Sequence, residues 1–449
     1  MGIPHFLAIP YPILGHISPL FQFCQVLATN GYKITFLTSD NNFNRVNRAA
    51  SEGKFVKSQM RVVSLPDGLG PEDDGSDQPK VILSIKTTMV AMLPKFIEDV
   101  NAMDSDNKIS CVIVTKNMGW ALQVALDLGL KGALFWPASA TSLASFDSMQ
   151  RLIDEGIIEP MLLIISFEIS SGLPSKEHEK IKLCSNMPMI DASAMPWYCL
   201  DNTFYFHHMK QEIQTLKLAK WWLCNTTIDL EPGPFSISPN LIPIGPLIAT
   251  NYNKSEEKTC QEWLDQQPPK SVIYISFGSM VSPSKEQFKE LALGLDFLNM
   301  PFLWVINKNN NNNPLLYPEN FKGNKGKIVG WVMQKKKVLS HPSIACFVSH
   351  CGWNSTMEGV CCGVPFLCWP FCSDQIINKT YICDVWKVGI EFEKDENGLV
   401  SREEIKKKVE MLFEDEGIKE RSLKLKEMMI KNKVEGDKNL NEFINWVKE

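Results

Sequence analysis

Residues 331–375 constrain the fold more than any other stretch of the chain. They read W-V-M-Q-K-K-K-V-L-S-H-P-S-I-A-C-F-V-S-H-C-G-W-N-S-T-M-E-G-V-C-C-G-V-P-F-L-C-W-P-F-C-S-D-Q. The run A-C-F-V-S at 345–349 has the length and apolar character of a buried parallel strand. A polar turn follows at 350–355, then a helix-like run at 356–360. A helix start offers unpaired N–H groups and a positive dipole end, which suit a phosphate. Asn354 and Ser355 can cap that helix or bond an anion. A second apolar strand at 364–369 leads to Asp374 and Gln375, an acid–amide pair suited to sugar hydroxyls. On spacing alone, an ordinary capped helix in an α/β domain accounts for the stretch equally well.

The rest of the chain repeats the α/β alternation. A strand at 6–10 enters a turn at 11–18, helped by Pro12 and Gly15. A helix at 20–29 stops at Asn30-Gly31, and a strand follows at 34–38. This is a Rossmann-like opening. It lacks G-x-G-x-x-G, which argues against a nicotinamide-dinucleotide enzyme. Further strands are expected at 110–114, 133–136 and 221–225, and a second α/β unit starts near 271. Residues 66–79 read as a polar loop, and 140–220 as irregular helices and loops suited to a pocket. Helices are expected at 402–413, 417–431 and 439–448. With 449 residues the chain is too long for one core. The expected division is a first domain over 1–248, a linker over 249–258, a second domain over 259–430 and a terminal helix within 431–449.

Composition narrows the partners. A net charge of −5 gives no reason to expect nucleic acid or an anionic membrane. Thirteen cysteines are scattered without a C-x-x-C pair, so reduced thiols in a cytoplasmic protein are expected rather than zinc. The N-terminus enters a strand at once, without a signal-peptide pattern. No apolar run is long enough to span a bilayer. Asp104-Ser105-Asp106 spells D-x-D, but its polar setting M-D-S-D-N-K reads as a solvated turn.

Several motifs stand together. They are H-C-G-W-N-S at 350–355, E-G at 358–359, G-V-P at 363–365, W-P at 369–370 and D-Q at 374–375. Elsewhere occur G-H-x-x-P at 15–19, N-T-x-x-x-L-E-P at 225–232, I-G-P-L at 244–247 and S-F-G-S at 276–279. This set closely resembles the plant family 1 UDP-sugar glycosyltransferases over nearly the whole chain. The resemblance implies an α/β GT-B fold, two Rossmann-like domains facing a central cleft, in a monomer that performs inverting transfer without metal or cofactor. It implies a UDP-sugar donor and a small-molecule hydroxyl acceptor such as a phenolic, flavonoid or terpenoid. Gln375 at the end of the box points to UDP-glucose.

The resemblance also assigns roles. Trp331 stacks on uracil, and the Val332 backbone and Gln334 meet base or ribose. His350, Asn354 and Ser355 bind the diphosphate, with Trp353 among them in the donor-binding box. Glu358 binds ribose hydroxyls, and Asp374 and Gln375 bind the sugar. Gly15 lets the backbone approach the sugar phosphate, and Ser279 matches a phosphate-contacting hydroxyl. His16 matches the general base.

The chain departs from the family pattern in two places. One extra residue lies between Trp331 and His350, expected as an outward bulge at 335–337. Thr115, followed by Lys116, occupies the position of the aspartate that orients the base. That second departure raises a rival reading, a UDP-sugar-binding protein with impaired or very slow chemistry.

Overall fold

The computed structural model describes residues 2–52, 59–70, 73, 77–158, 180–197, 203–247, 255–278, 283–306, 317–330 and 335–449. The chain divides into two compact units, Met1–Tyr252 with Asn432–Glu449, and Asn253–Lys431.

The first unit is built on β1 (His5–Ile9), β2 (Lys33–Ser39), β3 (Met60–Leu65), β4 (Ile109–Val114) and β5 (Lys131–Trp136). A short antiparallel pair, β6 (Lys180–Ile181) and β7 (Ile190–Asp191), stands apart, and β8 (Trp221–Cys224) and β9 (Leu241–Pro243) complete the set. Seven strands pair in parallel in the order β3-β2-β1-β4-β5-β8-β9. Both faces of such a sheet are covered, so its inner strands read as unbroken apolar runs, H-F-L-A-I and S-C-V-I-V. The chain lays β2 and β3 on one side of β1, then returns to lay β4 and β5 on the other. Between β1 and β4 the order reverses, and such a switch point leaves a crevice at the strands' carboxyl ends. Ile9 pairs with Val114, so the two strands end level.

The second unit repeats the plan. Strands β10 (Val272–Ser276), β11 (Phe302–Val305), β12 (Gly326–Val329), β13 (Ile344–Ser349), β14 (Phe366–Cys368) and β15 (Gly389–Glu391) are all parallel. Their order is β12-β11-β10-β13-β14-β15, which reverses between β10 and β13. There Ser276 pairs with Ser349.

Three local expectations change. The helix after β1 runs Leu14–Thr29, so His16 lies in its first turn and not in a preceding loop. Pro19 sits inside that helix and lacks the N–H that would bond the Gly15 carbonyl. The two terminal helices are one, Glu416–Lys448. Gly436 lies inside it, where a Cβ would come 2.3 Å from the Gly245 carbonyl oxygen, so it is a packing glycine. Beyond it Phe443 meets Phe6 and Trp221 at ring distances of 6.0 and 5.7 Å, within the first unit's core. A fully buried ring of this kind stabilises by roughly 2–3 kcal/mol. Finally, residues 335–337 open a short helix, Lys335–Leu339, instead of bulging, because consecutive lysines favour helix when no β-branched residue or glycine interrupts them.

Among the described residues, no helix is long and apolar enough to cross a membrane.

Candidate active site

The first switch point carries His16 and Thr115. The Thr115 amide continues the β1–β4 ladder by donating to the Ile9 carbonyl at 3.3 Å. Its hydroxyl oxygen accepts from the Tyr11 amide at 2.8 Å and stands 2.9 Å from His16 Nδ1. The Tyr11 ring meets the imidazole edge-on at 5.5 Å. Thr115 is fully buried and His16 only 7% exposed. Burial first, and the Lys116 charge second, hold the imidazole well below the usual histidine range. Its place in a helix's first turn acts in the same direction. A neutral imidazole is the result at neutral pH. Among the described residues nothing lies within 4 Å of where a Gly15 Cβ would be, beyond its chain neighbours and its own helix backbone.

Lys116 points along an aromatic wall. Its Nζ donates to the Tyr205 hydroxyl at 2.7 Å and lies 5.2, 5.4 and 5.8 Å from the Phe146, Tyr205 and Trp136 ring centres.

The second switch point carries the box. After β13 the chain turns through His350, Cys351 and Gly352 into the helix Trp353–Cys362. Gly352 is the N-cap and has no side chain with which to cap the helix. Cys351 has φ 63°, an uncommon conformation for a non-glycine residue that turns His350 back towards β10. Asn354 and Ser355 lie in the first turn, Ser355 buried and Asn354 half-buried. Trp353 is buried against Trp386, at 6.5 Å between ring centres. Glu358 lies half-buried one turn further along.

Asp374 and Gln375 open the helix Asp374–Thr380, behind Ser373 at φ 58°. Gln375 Oε1 accepts from the Phe371 and Cys372 amides at 2.9 and 3.3 Å, which fixes the preceding loop. Asn378 donates to Asp374 Oδ2 and to the Cys351 carbonyl, both at 2.8 Å. It ties the acid to the His350 turn. Sequence reasoning missed Asn378, although its place four residues after Asp374 sets both on one helix face. It also missed Tyr11 and Gly278. Ser279, Trp331, Val332 and Gln334 lie outside the described residues.

Asp104 of the D-x-D run accepts from the Asn107 amide at 3.1 Å and pairs with Lys33, as a turn residue does. Among the described residues no group of three or more His, Cys, Asp or Glu side chains is arranged to hold a metal.

A family model described as UDP-glucoronosyl and UDP-glucosyl transferase matches residues 188–448. UDP-glycosyltransferase 83A1 of Arabidopsis thaliana is 37% identical, covering 100% of this chain and 97% of its own length. Flavonol 7-O-beta-glucosyltransferase UGT74F1 of the same plant is 30% identical over 99% of this chain and 98% of its own. The structure of Phytolacca americana UGT2, complexed with UDP-2fluoro-glucose and pterostilbene, superposes with a TM-score of 0.80 at 25% identity. That match covers 99% of this chain and 100% of the other.

Proposed function

The chain belongs to the plant UDP-glycosyltransferases, with their GT-B fold, and from that premise we propose that it transfers glucose from UDP-glucose to a small-molecule acceptor, with inversion and without a metal. The supporting observation is the pair of switch points, one carrying His16 and the other a glycine-started helix beside His350.

In this reading the diphosphate lies against the amides of residues 353–355, with His350, Asn354, Ser355 and Ser279 as further donors. The helix dipole favours the charge that builds on UDP as it leaves. Trp331, Val332 and Gln334 hold the base, Glu358 the ribose, and Asp374 and Gln375 the sugar. Gly15 gives the sugar phosphate room. His16 takes the proton of a hydroxyl acceptor through Nε2.

Thr115 limits that last step. Nε2 is basic only when Nδ1 carries the ring hydrogen and donates it to Thr115. The Thr115 hydroxyl, already accepting from Tyr11, must then send its own hydrogen to the Lys116 carbonyl, 3.5 Å away, at the edge of bonding range. In the other tautomer the hydroxyl donates to Nδ1, and Nε2 is protonated. The productive tautomer is therefore short of about one good hydrogen bond, ~1 kcal/mol. No charge balances the imidazolium either. This favours a second reading, donor binding with slow transfer to neutral hydroxyls.

Purified protein incubated with UDP-glucose, UDP-galactose or UDP-xylose and a panel of phenols, alcohols and terpenols, read by UDP release and mass spectrometry, tests both. A glucosylated product with UDP-glucose preferred supports the lead. UDP binding without any product supports the second, and a clear preference for galactose refutes the donor.

A further inference from the structure

Three features around His16 describe what the attacking oxygen must be. The imidazole leans on a neutral hydroxyl, with no carboxylate to hold a proton's charge. Lys116 lies beside it, and among the described residues its ammonium contacts a phenol hydroxyl and three ring faces. Among the described residues Lys116 forms no ion pair with a carboxylate. Glu212, the buried acid of the neighbourhood, is committed to the Gly119 amide at 2.8 Å, and burial raises its affinity for a proton. Among the described residues the site is poor at accepting a proton and holds a lysine whose charge meets no carboxylate in an ion pair, Glu212 acting on it through space. Both defects vanish for a nucleophile that arrives ionised.

We propose that the natural acceptor is an aromatic or similarly apolar carboxylic acid, whose carboxylate is seated by Lys116 and glucosylated directly to a glucose ester. This rests on the transferase reading above. A carboxylate oxygen donates its electron pair to C1 of the sugar. The bond from C1 to the phosphate oxygen breaks, and that pair leaves with UDP. The ester is neutral, the acceptor's negative charge passes to UDP, and no proton is released. His16 then packs against the acceptor and has no proton to take. Lys116 pairs with the carboxylate, and such charge-assisted bonds are the stronger kind. The buried rings of Trp136 and Phe146 flank the ammonium and make its surroundings apolar, which strengthens its pairing with a carboxylate.

The test compares three acceptors with UDP-glucose: 4-methoxybenzoate, 4-methoxybenzyl alcohol and 4-nitrophenol. The full-length protein is expected to prefer the benzoate by at least about tenfold in kcat/KM and to form a hydroxylamine-labile product. Lys116→Met, which fills the aromatic wall without charge, should raise KM for the benzoate at least about tenfold and collapse the acid-to-alcohol ratio. Lys116→Arg should restore much of that ratio. His16→Gln should cost alcohol transfer about 10²–10⁴-fold, the usual worth of a general base, and benzoate transfer less than tenfold. A lysine that merely covers ring faces would leave the ratio unmoved, which overturns the proposal. Turnover of the alcohol or nitrophenol without the benzoate also overturns it while leaving the transferase reading intact. UDP binding with no turnover of any acceptor overturns both.

Discussion

Gly278 lies directly against His350: a Cβ on the glycine would come 2.8 Å from His350 Nε2. The contact joins the carboxyl ends of β10 and β13 at the second switch point. It requires a residue without a side chain, at φ 76°. Gly352 approaches the same ring from its own turn, where a Cβ would lie 2.4 Å from Nε2. The imidazole is thus positioned by backbone on two sides.

Gly278→Ala should therefore weaken donor binding. The added methyl must displace the ring, and the left-handed conformation costs about 1–2 kcal/mol for an alanine. UDP affinity is expected to fall about tenfold or more, since 1.4 kcal/mol is a factor of ten. Titration calorimetry with UDP, alongside circular dichroism to confirm folding, is the measurement. An unchanged dissociation constant would show that His350 does not meet the diphosphate.

Chelation should have no effect on transfer. In the proposed cradle the diphosphate is met by helix amides, His350 and hydroxyl or amide side chains, and Asp374 beside the box turn already accepts from Asn378. Rates with excess EDTA should equal rates with added Mg²⁺ or Mn²⁺. Loss in EDTA restored by Mn²⁺ would refute the reading.

The sequence disclosed the strand cores because both faces of a parallel sheet are covered, which leaves apolar runs such as V-I-Y-I-S and A-C-F-V-S. It hid β12, G-K-I-V, because a four-residue edge strand with half-exposed side chains has no such run. It misplaced the start of the His16 helix because Pro12, Gly15 and Pro19 all read as turn residues. Only the folded chain shows that a helix tolerates the loss of one bond at Pro19. On the site, the box residues were legible as a strand–turn–helix. The roles of Tyr11 and Gly278 were not, because each acts through its backbone: an amide in one case, the absence of a side chain in the other.

Acid should unfold the first unit through His5. Its ring spans the Asn107 carbonyl at 2.9 Å and the Thr35 hydroxyl at 2.8 Å, which fits the neutral form. Burial lowers its pKa from 6.5 to about 4, against a smaller opposing effect of the Asn107 bond. The unfolded chain binds a proton near pH 6.5 and the folded one only near pH 4. The stabilisation is therefore complete above pH 6.5 and is lost progressively as pH falls to about 4. Its size is about 3 kcal/mol. Melting temperatures from pH 7.5 to 4 should fall in the native protein and fall less steeply in His5→Gln. Identical slopes would assign the acid sensitivity to other groups.

Thr115→Asp should convert the site towards neutral hydroxyl acceptors. A carboxylate is acceptor-only. At position 115 it would take the Tyr11 N–H and the His16 Nδ1–H together, which fixes the tautomer that leaves Nε2 basic. It would also balance the imidazolium that forms when a proton is taken. Loss of the analogous acid in a serine protease costs about 10⁴ in rate. The gain here should be smaller, because the new carboxylate is buried and Lys116 can pair with it. The double change Thr115→Asp with Lys116→Gly removes that partner and is the cleaner comparison. Across hydroxyl acceptors of rising pKa, kcat should gain little for acidic phenols and progressively more, up to about 10²-fold, for alcohols. A benzoate acceptor should lose rate in the same variants, because its charge meets a new carboxylate at 115 while Lys116 is either paired with that carboxylate or removed. A flat response across the alcohol series would show that another residue already orients His16, and that the neutral hydroxyl at 115 is no handicap.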